Sequence, residues 1–227
     1  MADYKKPDYW QLKARKEGYP ARSVYKLKEI DEKFGLLKTG ASSTGRGLAS
    51  NSAGEPGRRV LDLGAAPGSW SLYVLRKIAG NGLLVSADIF PLSRRYDRGL
   101  FDGDNFFFVQ GDITDPAVQG LILSRGPYSL IISDAAPATS GNHSVDAARS
   151  QGLAGTVLDY AEKALAKGGH LVIKVFQGGD TAELLKRIKT FFATAKSFKP
   201  QACRGESFET YYIGMGRIQN QPVSETI

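Results

Sequence analysis

The chain is poor in the residues on which several chemistries depend. Its 227 residues include one cysteine, Cys203, and two histidines, His143 and His170. One thiol excludes an intrachain disulfide framework and a four-thiolate zinc site. Two imidazoles leave little for a histidine-rich metal centre, so no metal is expected. No apolar run approaches the ~18 residues of a membrane span. The N-terminus, MADYKKPD, has no apolar signal core, and it carries Asp3 and Asp8, which a transit peptide avoids. A soluble cytoplasmic protein is the simplest expectation. Two glycine motifs are also missing: the G-x-G-x-x-G of dinucleotide-binding folds and the Gly-Lys-Ser/Thr ending of a phosphate-binding P-loop.

What is present is basic charge. Lys and Arg number 30 against 23 Asp and Glu, for a formal net charge of +7 and a pI near 9.4. Charge of this size suits a polyanionic partner, but it serves solubility equally well. Its distribution says more. Residues 1–38 hold ten Lys/Arg and six Asp/Glu, which places +4 of the excess in the first sixth of the chain. The length suits one or two domains, and a 42% hydrophobic share suits a folded core.

Within residues 1–38 two helices are expected. The second, from Ser23 to Phe34, sets Val24, Leu27, Ile30 and Phe34 on one stripe, with Ser23 as its cap. Residues 40–57 hold five Gly and four Ser without a periodic apolar face, and predict a flexible surface insertion over 39–58. From Arg59 short apolar runs alternate with amphipathic stretches. Strands are expected at 60–64, 83–88, 106–110, 128–134, 171–176 and 209–215. Helices are expected at 69–78, 115–124, 145–167 and 180–195. This alternation predicts an α/β fold with a mostly parallel sheet and helices on both faces. The catalytic domain would span 59–217, followed by a frayed tail at 218–227.

Ligands of such sheets bind at the carboxyl ends of the strands. The first strand runs into Asp62-Leu-Gly-Ala-Ala-Pro-Gly-Ser-Trp70, where Gly64 and Gly68 permit close backbone approach. Asp88 ends the second strand and suits a ribose diol. Asp112 follows the third and suits an adenine amino group, since a carboxylate only accepts. Each acid alone is as well explained as a turn residue. Asp134 ends the fourth strand. Lys174 lies inside the apolar run Val172-Ile-Lys-Val-Phe176. A buried lysine needs a partner or a path to water.

Taken together, the 62–70 loop, Ser133-Asp-Ala-Ala-Pro137, Ala21-Arg-Ser-Val-Tyr-Lys-Leu-Lys-Glu-Ile30, Val172–Phe176 and Arg204-Gly-Glu-Ser-Phe-Glu-Thr-Tyr211 resemble the FtsJ/RrmJ family of S-adenosylmethionine-dependent RNA ribose 2′-O-methyltransferases. The resemblance runs from about residue 8 to 216. It implies a Rossmann-like seven-stranded sheet whose last strand is antiparallel. It implies a catalytic set of Lys26, Asp134, Lys174 and Glu209, the last rather than Glu206. Lys174 is then the base, Asp134 its orienter, Lys26 a tuning cation on the phosphate side and Glu209 a positioning acid. S-adenosylmethionine is implied at Gly64, Pro67, Gly68, Trp70, Asp88, Asp112 and Asp134, with S-adenosylhomocysteine as product. Lys5, Lys6, Lys13, Arg15, Lys16, Arg22 and Lys28 are candidates for RNA phosphates. His143 is expected in the loop past Asp134, where an ordinary loop histidine is the simpler reading and a place at the RNA mouth the alternative.

The chain departs from the family pattern at the 40–57 insertion, at Ser69, where Gly is common, and at Cys203, where Ser is usual. Within the family it is most similar to bacterial enzymes that methylate a uridine of large-subunit ribosomal RNA, acting as monomers. Transfer RNA and mRNA caps are the alternative substrates. A nicotinamide oxidoreductase is disfavoured by the missing glycine fingerprint. Amino-directed and cysteine-dependent methyltransferases are disfavoured by Asp134-Ala-Ala-Pro137 and by the late position of Cys203. A non-catalytic RNA-binding module would need the basic face but not the four-residue set.

Overall fold

The structure, a computed structural model, describes residues 7–37, 58–138, 140–178 and 181–218. The expectations for 39–57, for Lys5 and Lys6 and for the tail past Ile218 lie outside these residues. Two helices come first, α1 (Tyr9–Lys16) and α2 (Val24–Phe34). Strands and helices then alternate: β1 (Arg58–Leu63), α3 (Ser69–Ile78), β2 (Gly82–Asp88), β3 (Phe106–Gln110), α4 (Pro116–Leu123), β4 (Tyr128–Ser133), α5 (His143–Ala164), β5 (Leu165–Phe176) and α6 (Thr181–Phe191). The chain ends in β6 (Phe192–Phe198) and β7 (Glu209–Arg217).

The seven strands form one sheet in the order β3-β2-β1-β4-β5-β7-β6. Strands β1 to β5 pair in parallel, and β7 runs antiparallel to both β5 and β6. Alternate strand residues face opposite sides, and each side has its own core. Val60, Leu84, Ile132 and Val172 meet Leu27, Ile30, Leu72 and Leu75 of α2 and α3. Leu61, Val85, Ile131 and Ile173 meet Ile122, Val157, Leu158 and Ile188 of α4, α5 and α6. The apolar stripe of α2 is therefore part of the sheet's core: Val24, Leu27 and Ile30 are fully buried. No described helix is long and apolar enough to cross a membrane.

Several elements differ from expectation. The helix expected to reach 195 stops at Phe191, and Phe192–Phe198 is a strand at the sheet edge. Its Ala and Lys residues favour helix locally, and pairing with β7 overrides them. The helix expected to reach 167 ends at Ala164, where β5 begins at once. Ser23 stands before α2 but makes no side-chain cap.

Candidate active site

The loop after β1 is shaped by its backbone. The Gly64 and Ala65 N–H groups both donate to the Ala87 carbonyl, at 2.9 and 3.2 Å. Gly64 has φ +75°, and a Cβ there would stand 2.5 Å from the Ala135 Cα. Only glycine fits both the angle and the space. Gly68, at φ +102°, precedes α3 and packs against the Phe101 ring. Asp88 braces the loop: Oδ2 accepts from Ala66 N–H and Oδ1 from Phe90 N–H, each at 2.8 Å. Pro67 accepts from Ser93 N–H at 3.0 Å. The first N–H groups of α3 have no acceptor within the helix, which makes this turn a donor-rich cradle beside an acid.

Two of the expected cofactor residues have structural partners of their own. Trp70 is buried, and its indole N–H donates to the Ser23 carbonyl at 2.8 Å. The ring latches α2 to α3, so what Trp70 offers a ligand is its main-chain N–H. Asp112 is exposed and closes a turn, accepting from the N–H and hydroxyl of Thr114 at Oδ1. Those two bonds hold its carboxyl below the ordinary range. Ser69 also has a structural use: its Oγ accepts from Ala21 N–H at 2.8 Å.

The four candidate catalytic residues converge from four distant segments. Asp134 follows β4, Lys174 lies in β5, Glu209 opens β7 and Lys26 is on α2. In register, Lys174 faces Tyr211 and Phe176 faces Glu209 across the β5–β7 pair, so all four share one face of the sheet. Lys174 is 7% exposed. Its Nζ lies 3.1 Å from Asp134 Oδ1 and donates to the Asp134 carbonyl. Lys26 Nζ lies 2.8 Å from Glu209 Oε2 and 3.9 Å from Asp134 Oδ1. The Lys26 ammonium is thus turned inward onto Glu209.

The electrostatics follow from this packing. Burial opposes charge on Asp134, but Lys174, Lys26 and the Tyr211 hydroxyl outweigh it and hold its carboxyl below the usual range. Burial likewise opposes charge on Lys26, and Asp134 and Glu209 outweigh it and raise its pKa. Burial and then Glu209 push the Cys203 thiol up to about 12, so it is a protonated thiol near neutrality. Among the described residues no cluster of His, Cys, Asp and Glu is placed to hold a metal ion.

Sequence reasoning missed Tyr211 and Asp62. The Tyr211 hydroxyl donates to Asp134 Oδ1 at 2.6 Å from a fully buried ring. Its alternation with Glu209 on β7 was the available signal. Asp62 is fully buried beneath the loop, where Oδ2 accepts from Ser71 at 2.7 Å and Oδ1 has no partner. Burial raises its pKa to about 7.

The RNA candidates divide. Arg15 and Lys16 are exposed. Lys13 lies over the rings of Trp10 and Tyr25. Arg22 is committed within the protein, to Asp8 and to the Ala202 carbonyl. Lys28 is paired with Glu17 and lies over Tyr19. The last two therefore hold the N-terminal helices in place rather than offering free charge. His143 begins α5 instead of lying in a loop, and its ring rests on Phe208. His170 Nδ1 accepts from Gly216 N–H at 3.1 Å.

Comparison with known proteins agrees with this geometry. Residues 19–217 match the model of the FtsJ-like methyltransferases. A Treponema denticola protein named ribosomal RNA large subunit methyltransferase E is 47% identical over 213 residues, 93% of this chain and 96% of its own. A Borreliella afzelii protein of the same name is 43% identical over 91% of this chain and 96% of its own. The crystal structure of a ribosomal RNA methyltransferase from Plasmodium falciparum superposes with a TM-score of 0.68 at 23% identity, covering 89% of this chain and all of that one. The last shows the Rossmann-like fold. A family match over most of the chain, with relatives at this identity, places the chain in the FtsJ-like methyltransferase family.

Proposed function

We propose that the chain methylates a ribose 2′-hydroxyl of RNA, using S-adenosylmethionine, in the RNA of the large ribosomal subunit and most simply at a uridine. One observation carries the reading. A buried lysine sits on a half-buried aspartate at the carboxyl edge of the sheet, beside a second lysine–carboxylate pair. A structural ion pair would need only two such groups. The names of the curated relatives support the ribosomal substrate.

The residues present fit the cofactor. The helix-start N–H groups after Gly68 suit its carboxylate, Asp88 its ribose hydroxyls, and Asp134 its cationic end. Bound there, S-adenosylmethionine supplies an electrophilic methyl group on its sulfonium. Pro67 and Gly64 keep the loop in the shape that offers these groups. Asp112 lies at the next strand end, where an adenine amino group would meet an acceptor.

Once its ammonium has released a proton to solvent, Lys174 Nζ, as the neutral amine, accepts the 2′-hydroxyl proton. A hydroxyl is a weak nucleophile until its proton is leaving, so a positioned base contributes about 10²–10⁴-fold. Asp134 fixes Nζ by side chain and carbonyl together. Tyr211 holds the Asp134 carboxylate in turn. Glu209 neutralises Lys26, which leaves Lys26 to position the ribose side of the substrate. Arg15 and Lys16 are exposed and offer charge to phosphates, and their contribution falls with salt. The protein acts as a cytoplasmic monomer on the subunit or its precursor, and the chemistry calls for no metal.

Mapping of 2′-O-methyl sites in RNA from cells with and without the gene tests the reading. One site in large-subunit ribosomal RNA is expected to lose its methyl group and regain it on complementation. Loss confined to transfer RNA or mRNA caps would overturn the substrate, and no loss anywhere would overturn the function.

A further inference from the structure

Three aromatic rings at the carboxyl edge of the sheet are left unused by the chemistry above. Phe176 is the last residue of β5 and lies on the same face as Lys174, two residues further out. It stands opposite Glu209 in the β5–β7 register. The Phe208 ring meets it edge-on, with centroids 5.0 Å apart at 71°. His143 rests on Phe208, with centroids 4.1 Å apart at 46°.

These rings belong to neither core. Phe176 and Phe208 are half-buried and His143 is exposed. Their backbones are nonetheless well held. The Phe208 carbonyl accepts from Gln177 N–H at 2.7 Å, and Phe176 N–H donates to Ser150 Oγ at 3.0 Å. Asn142 caps α5 through the N–H groups of Ser144 and Val145, which sets the position of His143. Two strand ends and the start of α5 thus bring their rings together, one strand step outside the proton acceptor.

We propose that His143, Phe208 and Phe176 form a stacking platform for a nucleobase of the RNA, the base carried by the ribose that is methylated. The proposal rests on the ribose-methylating function given above. Single-stranded RNA bases are recognised by stacking on aromatic and histidine rings, since every base has a π-face. A base seated on this row has its sugar toward Lys174, because the row begins one step from it on the same face. The platform reads a flat base rather than a particular one, and it turns the 2′-hydroxyl inward.

The test uses two fluorescent RNA probes of equal length and charge, a uridine hexanucleotide and its abasic ribose-phosphate counterpart. Binding is read by anisotropy. The intact protein is expected to prefer the base-bearing probe about tenfold. His143→Ala should reduce that preference to within about twofold, and His143→Phe should retain it. Phe208→Leu, which keeps apolar volume, should reduce it as well. Unchanged melting temperatures show that the variants are folded. The proposal is overturned if the intact protein binds both probes equally, or if His143→Ala and Phe208→Leu keep the full preference. Failure of the parent reading shows itself separately, as an unmethylated RNA map with the intact protein.

Discussion

The two halves of the site are built by opposite means. The half proposed for the cofactor, at the ends of β1 to β3, is a matter of backbone, and the other half is proposed for transfer. Gly64 and Gly68 supply space and positive φ, and Asp88 works within two residues of its own strand and on the neighbouring loop. The transfer half is a matter of side chains. Lys26 and Glu209 meet across 183 positions of sequence, and Lys174 and Asp134 across 40. The first half depends on local conformation. The second depends on the whole sheet and on α2 being docked.

The comparison can be broken first at its long-range side. Lys26→Met leaves Glu209 buried without its partner, which costs about 3–5 kcal/mol. The double variant Lys26→Met/Glu209→Gln should recover much of that stability in denaturant unfolding, while transfer stays lost. Equal losses in the single and double variants would mean that the pair is not coupled. Gly64→Ala breaks the local side. Strain at φ +75° and contact with the Ala135 backbone should cost about 2–4 kcal/mol and weaken S-adenosylmethionine binding. Thermal melts and calorimetry check both effects.

A pH-dependent effect sharpens the boundary between the halves. The Asp62 carboxyl is raised to about 7 in the folded protein, above its ordinary value of 3.8. The folded state therefore binds more protons than the unfolded state between those values. Stability from this group is full below about pH 4 and is lost as pH rises through 7. Asp134 has the opposite sign: its lowered pKa adds stability above the ordinary carboxylate range that is lost on acidification. Asp62→Asn should flatten the decline between pH 4 and 7 and leave the acid limb in place. Parallel curves for variant and parent would remove Asp62 from the account.

Much of this was legible in the sequence, and the legible parts share a cause. The strands that became β1 to β4 are short apolar runs closed by a turn or an acid, and α3 was bounded correctly because Gly68 and the next glycine-bearing turn frame it. The edge strand β6 was not legible: Phe-Ala-Thr-Ala-Lys-Ser-Phe continues a helical pattern, and only β7 beside it makes it a strand. Lys174 was ambiguous between a paired site and a snorkelling edge residue until β7 was seen to cover β5 on the far side. Arg22 and Lys28 looked like free charge because their partners, the Ala202 carbonyl and Glu17, are set by folding. The structural use of the Trp70 ring, packed in the core with its N–H on the Ser23 carbonyl, was not legible because its partner is set by folding.

The central claim is that binding and transfer are separable at Lys174. One experiment meets it directly: Lys174→Ala, with S-adenosylmethionine affinity by calorimetry and methyl transfer to large subunits from cells lacking the gene measured on the same preparation. The account predicts an affinity within about threefold of the parent and a rate lower by at least about 10²-fold. Near-normal transfer, or loss of cofactor binding in a variant that remains folded, would contradict it.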